Sequence, residues 1–333
     1  MIAAIIFIFG LLIGSFLNVC ISRMPRNESL VFPASHCPAC GAAIPPWLNI
    51  PVVSYLLLKG RCRSCSGSIS VIYPLVELLT ALLALALYLR FGLTLHFFVL
   101  AFLCAALVVV TFIDLEHQII PDEISVTGIF IGFAYSLFST NYLFPATTIG
   151  LAVSVITLLV LFGHQLLSVV VNIFTNRSAE PGEESEFRYG EYVKILATTI
   201  PGIACCIYSL LHFPRQSWAD SLLGILLGTD VIVISTLLYY LLRRTEGMGG
   251  GDVKLLAMLG AFFGWQAIPF IIFVSSLAGS VIGVAIMFIK KQDSKLAIPF
   301  GPFLVMGSLI HIFYGAQLVS WYLKLFSPGG ALP

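Results

Sequence analysis

Residues 1–23 read MIAAIIFIFGLLIGSFLNVCISR, with no charged side chain before Arg23. A helix needs ~20 such residues to cross ~30 Å of hydrocarbon. The stretch lacks the basic start and small-residue cleavage site of a signal peptide and runs into Arg23 and Arg26, so it reads as a retained first span. Similar blocks recur at 72–89, 95–113, 123–140, 145–174, 193–213, 219–242, 253–264, 267–289 and 300–325. They are longer than the ~10-residue alternating strands of a membrane barrel. Of the 333 residues 59% are hydrophobic and 10% charged, and mean hydropathy is +1.02, whereas soluble domains carry ~25% charged residues. The fold expected is an all-α, polytopic transmembrane helical bundle with membrane lipid as its surroundings.

The net charge of +1 gives no argument for nucleic acid or another strongly charged partner. Position matters more, because Lys and Arg accumulate in cytoplasmic loops. Arg23, Arg26, Lys59, Arg61 and Arg63 follow the first span; Arg177 and Arg188, Arg243 and Arg244, and Lys290, Lys291 and Lys295 occupy later loops. Ten spans place all four loops in the cytoplasm and both termini outside it, provided that the short 253–264 counts as a crossing.

The first polar loop holds Cys37-Pro38-Ala39-Cys40 and Cys62-Arg63-Ser64-Cys65. Two C-x-x-C knuckles about twenty residues apart are the spacing by which a zinc ribbon gathers four thiolates around one ion. Disulfides are the alternative, disfavoured in a reducing cytoplasm. Four thiolates leave no open coordination position, so the zinc would be structural, clamping a loop too short to build its own core. Gly41 and Gly67 lie where each knuckle needs a tight turn, and His36 is a flanking residue. Cys20, Cys104, Cys205 and Cys206 fall in apolar blocks and read as small hydrophobes.

Carboxylates at or within a membrane are costly and therefore functional suspects. Asp114 ends the third span, and Asp252 follows Gly247-Met248-Gly249-Gly250-Gly251 directly before a short apolar helix. Glycines such as Gly249 and Gly251 let the chain turn tightly and present the acid at a helix N-terminus, where the dipole favours its ionised form. Two nearby carboxylates share a proton, so that one acts as base on water and the other as acid. The alternative is a solvated helix cap. Asp122 and Glu123 read as caps of the fourth span, and Glu116 and His117 as loop residues in water. Asp230 falls mid-span without a partner in sequence. Glu77, near the start of the second span, is placed to pair with Lys254 or an arginine, or to snorkel.

Taken in order, Gly14-Ser15-Phe16-Leu17-Asn18-Val19 with Arg23 and Pro25, the paired C-x-x-C, Tyr73-Pro74-Leu75-Val76-Glu77, Ile113-Asp114 with Ile120-Pro121-Asp122, the Gly247–Leu256 run with its Lys254, and Ile298-Pro299-Phe300-Gly301-Pro302 resemble the bacterial type IV prepilin peptidase family over nearly the whole chain. The resemblance implies a bifunctional enzyme of the bacterial inner membrane. It would cut the basic leader from type IV prepilins or type II secretion pseudopilins, after a glycine, at the cytoplasmic face. It would then methylate the new N-terminal amine with S-adenosylmethionine. The family's catalytic aspartates correspond to Asp114 and Asp252, with Gly249, Gly251, Lys254 and Glu77 as supporting positions. Relatives that only cleave archaeal preflagellins lack the cysteine loop, which makes that loop and the amino-terminal motif candidates for supporting methylation.

The domains expected are a first span at 1–23, a cytoplasmic zinc-binding loop at 24–71 and a multi-span peptidase core at 72–333. The two aspartates lie further apart than in the family, the excess falling near 141–215. Residues 189–197 parallel 249–257 in sequence, and Ile200-Pro201 parallels Ile120-Pro121, as an inserted, non-catalytic helical pair would, with Glu191 and Tyr192 where an aspartate would be copied. Chance similarity is the alternative. Neither a methyl-donor motif nor a family position for Asp230 is visible. The rival function is a carboxylate-coupled transporter, which would concentrate acids at membrane depth; a zinc-clamped assembly factor is a third.

Overall fold

The computed structural model describes residues 1–138, 217–243, 249–290 and 298–326. These are helical, without strands, apart from two isolated β-bridges in the cysteine loop. Six of the described helices are long and apolar enough to cross a membrane, so the chain is a multi-pass membrane protein. The spans expected at 145–174 and 193–213, the suspected copy at 189–197 with Glu191 and Tyr192, and Cys205 and Cys206 lie outside the described residues.

The chain forms two compact units, Met1–Pro121 and Asp122–Pro333. The first contains α1 (Ile2–Arg23), the short α2 (Val53–Leu57) within the cysteine loop, α3 (Ile72–Phe91) and α4 (Leu95–His117). One side of α1 carries exposed apolar side chains such as Ile5, Phe9, Leu12 and Phe16, as a lipid-facing surface should. Its other side lies against α3. A Cβ at Gly10 would stand 2.6 Å from the Cα of Ala81, and one at Gly14 2.6 Å from the Cα of Glu77. One turn on, the Asn18 amide donates to the Tyr73 carbonyl at 3.0 Å. Positions 10, 14 and 18 thus run antiparallel to 81, 77 and 73, and the small-xxx-small spacing lets backbone meet backbone where lipid offers no hydrophobic drive.

A tight turn joins α3 to α4, with Thr94 capping α4 by accepting from the Phe97 amide at 3.2 Å. The third span was expected to end at Asp114, with Glu116 and His117 beyond it. Instead α4 continues to His117 and stops at Gln118, which adopts φ 56° and donates its backbone N–H to the Asp114 carbonyl at 3.0 Å. Glu116 and His117 are exposed on that last turn.

The second unit contains α5 (Asp122–Phe138), α6 (Ser217–Arg243), α7 (Gly250–Phe263), α8 (Ala267–Lys290) and α9 (Gly301–Phe326). With 14 residues, α7 spans about 21 Å, short of the hydrocarbon thickness. Leu255, Leu256, Ala257, Met258 and Leu259 are all fully buried, which makes it the unit's central helix. It crosses α6 where Gly224 and Gly260 each press on the other's backbone carbonyl. The Ser221 hydroxyl donates to the Ala261 carbonyl at 2.7 Å beside that crossing. Asp230 is buried in α6.

Candidate functional site

Four predicted ligands are brought together in the cysteine loop. The Sγ atoms of Cys37, Cys40, Cys62 and Cys65 lie within 4.8 Å of one another, and that of Cys37 stands 3.9 Å from that of Cys65. Zinc–sulfur bonds of ~2.3 Å in a tetrahedron require sulfurs about 3.8 Å apart, whereas a disulfide requires ~2.05 Å. The donors fit a metal.

The two knuckles are conformational copies. The amide of Cys37 donates to Ala42 and that of Cys62 to Gly67, at 2.9 and 2.8 Å; Gly41 returns to Cys37 and Ser66 to Cys62, at 2.8 and 2.9 Å. Bridges His36–Ala43 and Arg61–Ser68 complete the correspondence. The tight turn therefore falls at Gly41 (φ 70°) and Ser66 (φ 58°), not at Gly67 as expected. His36 lies outside the sulfur cluster, its Nδ1 facing the Ala34 carbonyl at 3.1 Å. Backbone amides of Cys65 and Ser64 hold the Cys62 thiol down to about 6. The Cys40 thiol is pushed up to about 11: the Ala42 amide favours its anion but is outweighed by the Cys65 sulfur, desolvation and the Cys37 sulfur.

Glu77 is buried in α3, and its Oε2 accepts the Val52 amide at 2.7 Å. It thereby joins the membrane helix to the cysteine loop; the sequence left Glu77 to pair with Lys254 or an arginine or to snorkel, and among the described residues of its own unit it pairs with no arginine. Val52 holds φ 60° and ψ −47°, and the Val53 amide reaches across it to the Pro51 carbonyl at 2.6 Å. That is a γ-turn of positive φ, a strained conformation for a β-branched residue. Arg23 is also part of this junction rather than a free loop cation. Its guanidinium is buried and donates to the carbonyls of Ser29 and Pro33 at 2.8 and 2.7 Å. Sequence reasoning missed both anchors, whose partners are backbone groups that no motif displays.

Asp114 is buried at the start of the last turn of α4. Asp252 is the third residue of α7, after a Gly249 N-cap, at the helix N-terminus that the glycine run led us to expect, and it is also buried. Its carboxylate lies in the helix's first turn, where unpaired amides favour negative charge. Two residues on, Lys254 Nζ meets Asp122 Oδ1 at 2.7 Å. Asp122, expected to cap α5, begins that helix but directs its charge to Lys254.

These features align with known proteins. Residues 8–91 match the family model described as the bacterial peptidase A24 N-terminal domain. Residues 101–170 and 196–284 match the model described as the type IV leader peptidase family. Proteins named prepilin leader peptidase/N-methyltransferase from Aeromonas salmonicida and Pseudomonas aeruginosa are 30% and 31% identical to this chain, covering 96% and 95% of it and 94% and 92% of their own lengths. The Legionella pneumophila protein of the same name is 28% identical over 95% of the chain. No solved structure matches. With both domain models matched in order and relatives aligned almost end to end, the chain belongs to the type IV leader peptidase family.

Proposed function

We propose that this protein is a bifunctional enzyme of the bacterial inner membrane that removes the leader of type IV prepilins or type II secretion pseudopilins and N-methylates the residue exposed. The observation that carries this reading is the 30% identity over 96% of the chain and 94% of a relative bearing both activities in its name. Asp114 and Asp252 are the carboxylates we assign to leader removal, at the cytoplasmic face. One takes a proton from water as it attacks the scissile carbonyl; the other, protonated, supplies a proton so that the amine can leave. The buried position of Asp252 behind Gly249 and Gly251, and the Lys254–Asp122 pair beside it, support this reading.

The four cysteines hold structural zinc in this proposal, which the sulfur spacing supports. S-adenosylmethionine supplies the methyl group: the carbon–sulfur bond breaks with its electron pair going to sulfur, the neutral amine's lone pair forms the new nitrogen–carbon bond, and the resulting ammonium loses a proton to water.

The test is incubation of purified protein with a prepilin and S-adenosylmethionine, followed by mass measurement of the product's N-terminus. A leaderless, singly methylated product is the outcome expected. An intact prepilin would overturn the peptidase assignment, and a leaderless unmethylated one the methyltransferase assignment.

A further inference from the structure

We infer that the cysteine loop rests in the lipid leaflet at its end of α1, with its bare apolar side chains among acyl chains and its basic residues against anionic phospholipid headgroups. Depth carries the argument. Glu77 accepts the Val52 amide at 2.7 Å, and the Ser15 side chain meets the same carboxylate. Ser15 and Arg23 are about 12 Å apart along α1. At 20 residues, α3 covers about 30 Å, which the hydrocarbon takes up without remainder, and Glu77 already stands in its second turn. Val52 is therefore held at membrane depth. The other arm of the loop agrees, because Val31 and Pro33 line one groove with Leu12 and Phe16, two side chains on the lipid-facing side of α1.

What the loop exposes is apolar. Val31, Phe32, Trp47, Leu56 and Leu57 are each 65–77% exposed, a set that water disfavours and acyl chains accept, and tryptophan is a usual resident of the membrane interface. Leu56 and Leu57 belong to α2, which begins directly after Val52. Lys59, Arg61 and Arg63 follow at once and are exposed. Across residues 24–71 these three and Arg26 outnumber the one acid, Glu28. Apolar side chains with bases beside them are what holds an interfacial segment to an anionic leaflet. A soluble partner does not reach the level of Val52, and a second copy would bring a loop of the same positive sign.

The test places the full wild-type chain in vesicles of equal parts phosphatidylcholine and phosphatidylglycerol that carry a photoactivatable diazirine on an acyl chain. After irradiation, labelled peptides are mapped by mass spectrometry. Label at Val31–Phe32 and at Leu56–Leu57 is expected within about threefold of that at Phe9 and Phe16 on the lipid side of α1. Label on α1 with none on the loop would overturn the inference, and a cross-link through Lys59 between two copies would then name a second copy as the occupant. Vesicles of phosphatidylcholine alone should lower the label on the loop about twofold or more and leave that on α1 unchanged. Equal loop label in both vesicles would overturn the headgroup contact. A variant that keeps Trp47 as its one tryptophan, through Trp218→Phe, Trp265→Phe and Trp321→Phe, provides a second measurement. Its emission should be quenched by lipids brominated on their acyl chains and protected from aqueous iodide; the reverse pattern would overturn the inference independently.

Discussion

Lys254 and Asp122, 132 positions apart in sequence, meet at 2.7 Å and tie the start of α5 to the first turn of α7, two residues beyond Asp252. Lys254 is 12% exposed and Asp122 36%, so water screens part of the attraction. Exposed pairs contribute ~0.2–1 kcal/mol, and this one should lie near the top of that range. Denaturant unfolding of Asp122→Ala, Lys254→Ala and the double variant is expected to give a coupling energy of about 1 kcal/mol. Strict additivity would show that the pair does not act as a joint between the helices.

The aspartates are tested by changes that keep their shape. Asp114→Asn and Asp252→Asn each remove a carboxylate that can exchange a proton while preserving side-chain volume. Leader removal, followed by gel mobility of a prepilin, should fall by on the order of 10²–10⁴-fold in either variant. Zinc content and membrane insertion should match the wild type, since neither residue is one of the four cysteine ligands. Full cleavage by either variant would remove that residue from the mechanism.

Much of this was legible from short-range patterns. Apolar blocks located the helices because lipid demands long uncharged segments, and C-x-x-C spacing located the sulfur cluster because two knuckles need few residues each. The glycines before Asp252 announced a helix start for similarly local reasons. What escaped reading depends on partners distant in sequence or on backbone atoms. Asp122 looked like a cap because it stands just before a span, after Pro121; its cation arrives from another helix. Glu77 invited a search for a cation, yet its partner is the amide of Val52. Ser66 was overlooked beside Gly67 because glycine is the usual resident of positive φ, although the hydrogen bonds of the two knuckles align Ser66 with Gly41.

The sulfur cluster should hold one zinc ion per chain, and acid should release it. Amide donors lower the Cys62 thiol from 9.0 to about 6. A depressed folded-state pKa favours the folded knuckle fully above the unfolded value and loses that effect as pH falls through the folded one. Metal binding acts in the same direction, because the ligands are thiolates. Zinc retention measured after dialysis at stepped pH is therefore expected to hold at neutrality and to collapse only below about pH 6. Cys62→Ser should lose the metal at neutral pH. Full retention by Cys62→Ser, or a protein metal-free as isolated under reducing conditions, would contradict the assignment.

The turn at Val52 gives a sharper test, since opposite outcomes follow from small changes at one junction. Its φ of 60° places a β-branched side chain where L-residues are strained, and the turn holds because its amide is drawn onto Glu77 at 2.7 Å. Val52→Gly removes the steric penalty and keeps the donor. Glycine's greater unfolded-state entropy offsets part of the gain, leaving stability unchanged or raised by about 1 kcal/mol. Val52→Pro deletes the donor and forces φ near −65°, so it should detach the loop from α3. Glu77→Ala should do the same by deleting the acceptor, whereas Glu77→Gln retains a carbonyl oxygen in its place. The readout is limited trypsinolysis at Lys59, which is exposed in the loop just beyond α2: faster for Val52→Pro and Glu77→Ala, unchanged for Val52→Gly and close to wild type for Glu77→Gln. If Glu77→Ala resists trypsin as the wild type does, the carboxylate is not what holds this turn.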